Sequence, residues 1–203
     1  MSNRRLDITP VSSPLRAAFA ISRGSKTSAE TVRVRVQQGE HTGWGECVPY
    51  GRYGETAESV VATIETLREA IEAGLTRADL QAQMPAGAAR CAVDCALWDL
   101  DAKMSGTPVW QLAGLPEPKP VESAVTVSLD TPEKMADAAR AIQGRLLKLK
   151  LGGPEDLKRI EAVHEARPDA RLIVDANEGL VPADFPGISR AAADLGVVLI
   201  EQP

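Results

Sequence analysis

The sequence predicts two parts in series: an α+β domain over residues 1–118, then about the first four strands of an incomplete (β/α)8 TIM-type barrel over residues 119–203. Three observations carry this. Strands precede helices in the first part, the order of an α+β domain. After a Pro-rich stretch, LPEPKP at residues 115–120, strands and helices alternate, as in a parallel sheet with helical crossovers. Three of the later strands end in a charged residue, Lys150, Asp175 and Glu201, at intervals of 25 and 26 residues. Each interval is about one strand-and-helix unit.

In the first part, residues 30–37 (ETVRVRVQ) alternate valine with arginine, the period of a half-buried strand. Gly39 marks a turn, and residues 42–47 (TGWGEC) form the returning strand. Between Leu15 and Ser28 the stretch ISRGSKTS has no periodicity and reads as a loop; VPYGRYGE at 48–55 reads as a second loop. From Thr56, apolar residues at Val60, Val61, Ile64, Leu67 and Ile71 make one helical stripe that ends at Gly74. Thr76 and Asp79 have the spacing of a capping box. Residues 87–103 are apolar around most of a helix, predicting a largely buried element in which Cys91 and Cys95 pack.

In the second part, strands are predicted at 121–129, 146–151, 172–174 and 197–200. Helices are predicted at 132–142, capped by Asp130 or Thr131, at 154–166 and at 183–195. A barrel gathers its active-site groups at the C-terminal strand ends. An open doubly wound sheet does so too, but its glycine fingerprint is missing after residues 121–129. Only 83 residues follow Pro120, where a whole barrel takes roughly 250. The expectation is a chain truncated after the fourth strand.

Composition narrows the function classes. The 203 residues are 44% hydrophobic and 25% charged with a net charge of −5, ordinary for a globular domain. No basic stripe of the kind that binds nucleic acid is present. The N-terminal arginines precede no apolar run, and no run approaches the roughly 20 apolar residues of a membrane span. Cys47, Cys91 and Cys95 have neither zinc-site nor disulfide-framework spacing. A cytoplasmic protein with no nucleic-acid or membrane partner is expected.

Strand period puts Lys148 and Lys150 of Leu-Leu-Lys-Leu-Lys-Leu on one face and the leucines on the other. On an edge strand such lysines only deter aggregation. In a barrel they point inward, and two ammonium groups in one site repel, lowering the pKa of one so that it can act as a base. Asp175 could simply cap the following turn. Glu201 ends an apolar strand and needs a partner or an ion. Together the two carboxylates could share a hard cation, Mg²⁺ best of all. His41, His164, Asp94, Asp99, Trp98 and Trp110 read as structural.

Several segments resemble the enolase superfamily, in its muconate lactonizing subgroup. They are Gly43-Trp44-Gly45-Glu46-Cys47-Val48-Pro49-Tyr50, Cys95-Ala96-Leu97-Trp98-Asp99-Leu100, Lys148-Leu149-Lys150, Val174-Asp175-Ala176-Asn177 and Ile200-Glu201-Gln202-Pro203. Pro49-Tyr50-Gly51-Arg52-Tyr53-Gly54-Glu55 and Gly87-Ala88-Ala89-Arg90 are similar to the dipeptide epimerase branch. The resemblance makes the first part a capping domain with substrate-specificity loops. It implies Mg²⁺-dependent removal of the α-proton at the Glu residue of L-Ala-D/L-Glu-type dipeptides through a stabilised enediolate, in murein peptide recycling. Lys150 would be the base and Lys148 would depress its pKa and contact the carboxylate. Asp175 and Glu201 would be metal ligands; Arg23 and Thr126 would contact substrate. The partners implied are a small dipeptide or carboxylate and a possible second copy of the chain.

The family's third metal carboxylate and opposite-face lysine have no counterpart within the 203 residues, so this chain alone is expected to be inactive. Two other readings stay open at this point. One is another reaction of the superfamily, a cycloisomerase or a dehydratase such as succinylbenzoate synthase. The other is a truncated remnant without catalysis.

Overall fold

The computed structural model describes residues 4–22 and 24–203. Two compact units divide it: residues 4–14 with 28–119, and residues 15–27 with 120–203. The second unit therefore includes the tip of a hairpin that begins and ends in the first.

The first unit is an α+β domain. Strands β1 (Arg4–Ile21), β2 (Gly24–Gln38) and β3 (His41–Cys47) form a sheet in that order, with β2 and β3 antiparallel and Val34 opposite Gly45. Val32, Val34 and Val36 are buried, as the Val/Arg alternation requires. The segment read as a loop between Leu15 and Ser28 is instead the extended end of β1 and β2. Much of it is exposed, so no alternation of buried and solvated positions announced it; it is held extended by backbone pairing.

After a 3-10 turn at Gly51–Tyr53 come helices α1 (Ala57–Glu65), α2 (Arg68–Ala73), α3 (Arg77–Gln83), α4 (Ala88–Ser105) and α5 (Val109–Leu112). The single stripe predicted from Thr56 to Gly74 is broken between α1 and α2. There Thr63 and Thr66 hydroxyls donate to the carbonyls of Ser59 and Thr63, and Leu67 N bonds to Ile64 O in a tightened turn. The capping box at Thr76 and Asp79 is present.

Helix α4 lies on β3. The contact requires glycine: a Cβ on Gly45 would stand 1.9 Å from Ala92 O, and one on Gly43 would stand 2.0 Å from Ala96 O. On the helix side the facing residues are small or slim, and Ala89, Ala92, Val93, Ala96, Leu97 and Leu100 are buried. The opposite face is open, so Cys91 and Cys95 are exposed rather than packed as expected, and Cys47 is the buried thiol. Desolvation pushes the Cys47 thiol up to about 11.

The second unit is a partial barrel of four parallel strands, β4 (Val125–Val127), β5 (Leu146–Lys150), β6 (Arg171–Asp175) and β7 (Val197–Glu201), in that order. Helices α6 (Pro132–Ala141), α7 (Asp156–Ala166) and α8 (Phe185–Asp194) link them. Strand β4 is shorter than the predicted 121–129. Residues 121–123 follow Pro118 and Pro120 and are exposed, and Leu129 N bonds to Ala20 O of the hairpin tip. The helix-facing side of the sheet holds Val127, Leu147, Leu149, Leu172 and Val174, which pack on Met135, Ala139, Ile160, Val163 and Ala192. The register pairs Lys150 with Asp175 and Asp175 with Glu201.

Gly45→Ala should force α4 away from β3 and destabilise the first unit by about 1–3 kcal/mol. Gly187→Ala in α8, where nothing lies within 4 Å of a built Cβ, should be neutral or slightly stabilising. Trp44, Trp98 and Trp110 are all in the first unit, so tryptophan fluorescence in a urea titration follows the first substitution there. Far-UV circular dichroism follows the second.

Candidate active site

The C-terminal ends of β5, β6 and β7 bring four of the predicted residues together. Lys150 Nζ is 2.6 Å from Asp175 Oδ2, and Lys148 Nζ is 3.0 Å from the same oxygen and 2.5 Å from Glu201 Oε2. Lys150 and Asp175 are buried, 7% and 1% exposed, whereas Glu201 is half-exposed. Strand period explains the grouping: both lysines leave the side of β5 opposite Leu147 and Leu149, and in-register pairing aligns the acids beside them.

Asp175 caps the turn that follows β6 and also faces the lysines. Its Oδ1 accepts from Asn177 N at 2.9 Å, turning the backbone, while Oδ2 faces the lysines. Burial pushes its carboxyl up, but the hydrogen bonds from Lys150, Lys148 and the Asn177 N–H outweigh that and hold it below the usual carboxylate range. For Lys148, burial pulls the ammonium down; the bonds to Glu201 and Asp175 outweigh it and raise it above the ordinary lysine value. The two ammonium groups are thus not left facing each other alone, because a carboxylate oxygen stands between them.

Thr126 is in register with Lys148, and its side chain is exposed. Arg23 lies outside the described residues. Three neighbours went unassigned in the sequence. Asn177 Oδ1 accepts from Lys150 Nζ at 3.1 Å, Gln202 Oε1 accepts from Asn177 Nδ2 at 3.2 Å, and the Phe19 ring lies 5.7 Å from Lys150 Nζ. Asn177 was legible as the second polar residue of Asp-Ala-Asn; Phe19 sits in the misread hairpin. Two of the residues read as structural have such partners: Asp99 accepts from Trp44 N and Lys103, and Trp98 stacks under Arg77.

Asp175 and Glu201 offer carboxylate oxygens, the kind of donor a divalent cation takes. The Lys148 ammonium already stands between two carboxylate oxygens, the place a hard cation with oxygen ligands would take. Among the described residues no group of three or more His, Cys, Asp and Glu side chains is placed to hold a metal, so the pair stands alone. Among those residues, too, no helix is long and apolar enough to cross a membrane.

A capping α+β unit and parallel strands that end in two lysines and two acids define a class, and family models agree with it. The mandelate racemase / muconate lactonizing enzyme N-terminal domain matches residues 4–114, and the enolase C-terminal domain-like model matches residues 130–203. The chain belongs to this family of the enolase superfamily. It is similar to the L-Ala-D/L-Glu epimerase of Escherichia coli (strain K12), 44% identical over 193 residues, which are 94% of this chain and 60% of that protein. A crystal structure of an enolase family member from Agrobacterium tumefaciens with homology to dipeptide epimerases, with bound sodium and L-Ala-L-Glu, superposes with a TM-score of 0.94. It is 46% identical, over 98% of this chain and 62% of that one. The dipeptide epimerase from Enterococcus faecalis V583, complexed with Mg and L-Leu-L-Tyr, gives a TM-score of 0.89 at 29% identity, over all of this chain and 61% of that one. The chain thus spans about 60% of the length of these relatives.

The two shifts set the sign of this cluster's contribution to the pH dependence of the second unit. Asp175 binds a proton less readily folded than unfolded, so its stabilisation is complete above about pH 4 and is lost as pH falls through its native value. Lys148 has the opposite sign: its contribution is complete below about pH 10 and is lost as pH rises through the raised value. Thermal melts followed by far-UV circular dichroism should fall steeply between about pH 5 and pH 2. Asp175→Asn should lower the melting temperature near neutrality and flatten that acid limb.

Proposed function

We propose that this chain carries the lysine half-site of a metal-dependent epimerase that removes the α-proton from the Glu residue of L-Ala-D/L-Glu-type dipeptides. The observation that carries this is the meeting of Lys150, Lys148, Asp175 and Glu201 at one rim, in a chain 44% identical to an L-Ala-D/L-Glu epimerase. In this reading Lys150 is the proton acceptor. Its ammonium nitrogen is held by Asp175 Oδ2 and Asn177 Oδ1, so the group has a fixed position rather than the sweep of a free lysine. Lys148, more open than Lys150, would contact a substrate carboxylate. Asp175 and Glu201 would hold Mg²⁺, which when bound supplies positive charge against the negative charge that develops on that carboxylate. Phe19 shields Lys150 on the hairpin side. Arg23 and Thr126 are proposed as substrate contacts, Arg23 pairing with the glutamate side chain.

Epimerisation requires a proton to leave one face of the α-carbon and return to the other. The described residues supply one buried lysine at the rim, able to serve one face. The chain by itself is therefore proposed to have little or no epimerase activity, and the activity belongs to the whole protein.

The test is α-hydrogen exchange. In deuterium oxide with Mg²⁺, the whole protein should exchange the glutamate α-hydrogen of L-Ala-D-Glu and convert it to the L,L epimer, and a chelator should stop both. Lys150→Ala should slow exchange from one epimer by roughly a hundredfold or more. Unchanged exchange from both epimers would rule out Lys150 as the base. Exchange without epimerisation would favour a different reaction of the superfamily.

A further inference from the structure

Asn177 holds the Lys150 nitrogen in the half-site proposed above, and its own place in the rim is closely determined. It is 7% exposed and takes φ of 48°, in the left-handed region. Glu178 follows it at φ 64°, and Gln202, its partner from the next strand end, stands at φ 44°. Three non-glycine residues in that region within one loop pair mark a backbone held by its surroundings.

Each polar group of Asn177 is used, and each connects a different segment. Its N–H donates to Asp175 Oδ1 at 2.9 Å, Oδ1 accepts from Lys150 Nζ at 3.1 Å, and Nδ2 donates to Gln202 Oε1 at 3.2 Å. Its carbonyl oxygen accepts from Ser22 Oγ at 3.3 Å. The carboxamide orientation follows from this. With Gln202 accepting from Nδ2, Oδ1 is left facing the lysine, and an amide turned the other way would set N–H groups against an ammonium.

Ser22 reaches Asn177 because two glycines make room for it. A Cβ on Gly152, after β5, would lie 3.0 Å from Ser22 Cα and 2.8 Å from Leu129 Cδ2. One on Gly179, after β6, would lie 2.9 Å from Ala176 O and 3.2 Å from Ser22 Cβ. Neither glycine has the positive φ that would demand glycine for backbone reasons, so close approach is the reason for them. The Leu129 N–H to Ala20 O bond ties the same hairpin tip to the end of β4.

We infer that Asn177 is a positioning residue for Lys150, and that its grip depends on Ser22 seated in the notch between Gly152 and Gly179. The inference rests on the reading of Lys150 as the proton acceptor, but it concerns where that nitrogen is held and needs no turnover to test. A hairpin tip lifted from the notch would release the carbonyl of Asn177, loosen the left-handed turn and let the Lys150 nitrogen wander from the place where an α-proton would be met.

The measurement is nitrogen-15 NMR of lysine ammonium groups in this chain without substrate, with Lys150 assigned by its loss in Lys150→Met. A buried ammonium held by two oxygens exchanges slowly with water and gives a sharp signal. Asn177→Gly keeps the backbone conformation and deletes the carboxamide; it should speed Lys150 exchange roughly tenfold or erase the signal, as the loss of a hydrogen bond to a charged group implies. Gly179→Val and Gly152→Val should do the same from a distance, and Asn177→Asp, which keeps the acceptor, should restore most of the protection. Should Asn177→Gly fail to fold by amide dispersion, Ser22→Ala and Gln202→Ala read the same coupling with smaller change. A sharp, slowly exchanging Lys150 signal in folded Asn177→Gly, or in the two valine variants, would overturn the inference. Failure of Lys150→Ala to affect α-hydrogen exchange would instead strike at the base assignment and leave the positioning result intact.

Discussion

One carboxylate oxygen organises the second unit. Asp175 Oδ2 lies within hydrogen-bond distance of two ammonium groups, while its twin Oδ1 fixes the turn that carries Asn177. Setting a buried and a half-buried lysine on one face of a sheet is tolerable only when a counter-charge stands between them. The helix side of the same strands is a continuous apolar layer from Val127 to Val174. Strand alternation therefore separates the work: leucines and valines supply stability on one side, and the charged cluster sits on the other with its geometry fixed by the layer behind it.

Much of this was legible in the sequence. The Leu-Lys alternation of β5, the spacing of Asp175 and Glu201, and the Thr76–Asp79 cap each have a local cause, and each appears where expected. The errors fall where the cause is tertiary. The hairpin end around Leu15 to Ser28 shows no alternation because neither side of it is consistently buried. Cys91 and Cys95 read as packed because a helix rich in alanine and leucine hides which side meets β3; the small-residue path along Gly43 and Gly45 settles it. Phe19 joined the lysine only through a fold-back no local pattern encodes.

Glycine does two different jobs in this chain. Gly43 and Gly45 let a helix rest on a strand; Gly152 and Gly179 let the hairpin tip rest on the strand ends. In both places the missing Cβ is what brings two segments within reach, and in the second the segment admitted carries Ser22 to the carbonyl beside the charged cluster. Membership of the mandelate racemase / muconate lactonizing enzyme family accounts for the architecture. The contacts around Asn177 account for how its lysine is held.

The account stands on the coupling between Lys150 and Asp175. A double-mutant cycle of Lys150→Met and Asp175→Asn, read by native-state hydrogen exchange at the β5 and β6 amides, measures it directly. Each single change should destabilise those strands, and the double mutant should recover at least about 1 kcal/mol of the summed loss, because a buried charge without its partner costs more than the absent pair. Effects that add to within about 0.5 kcal/mol would show that the two groups do not share a buried ion pair, and the site as described would fall.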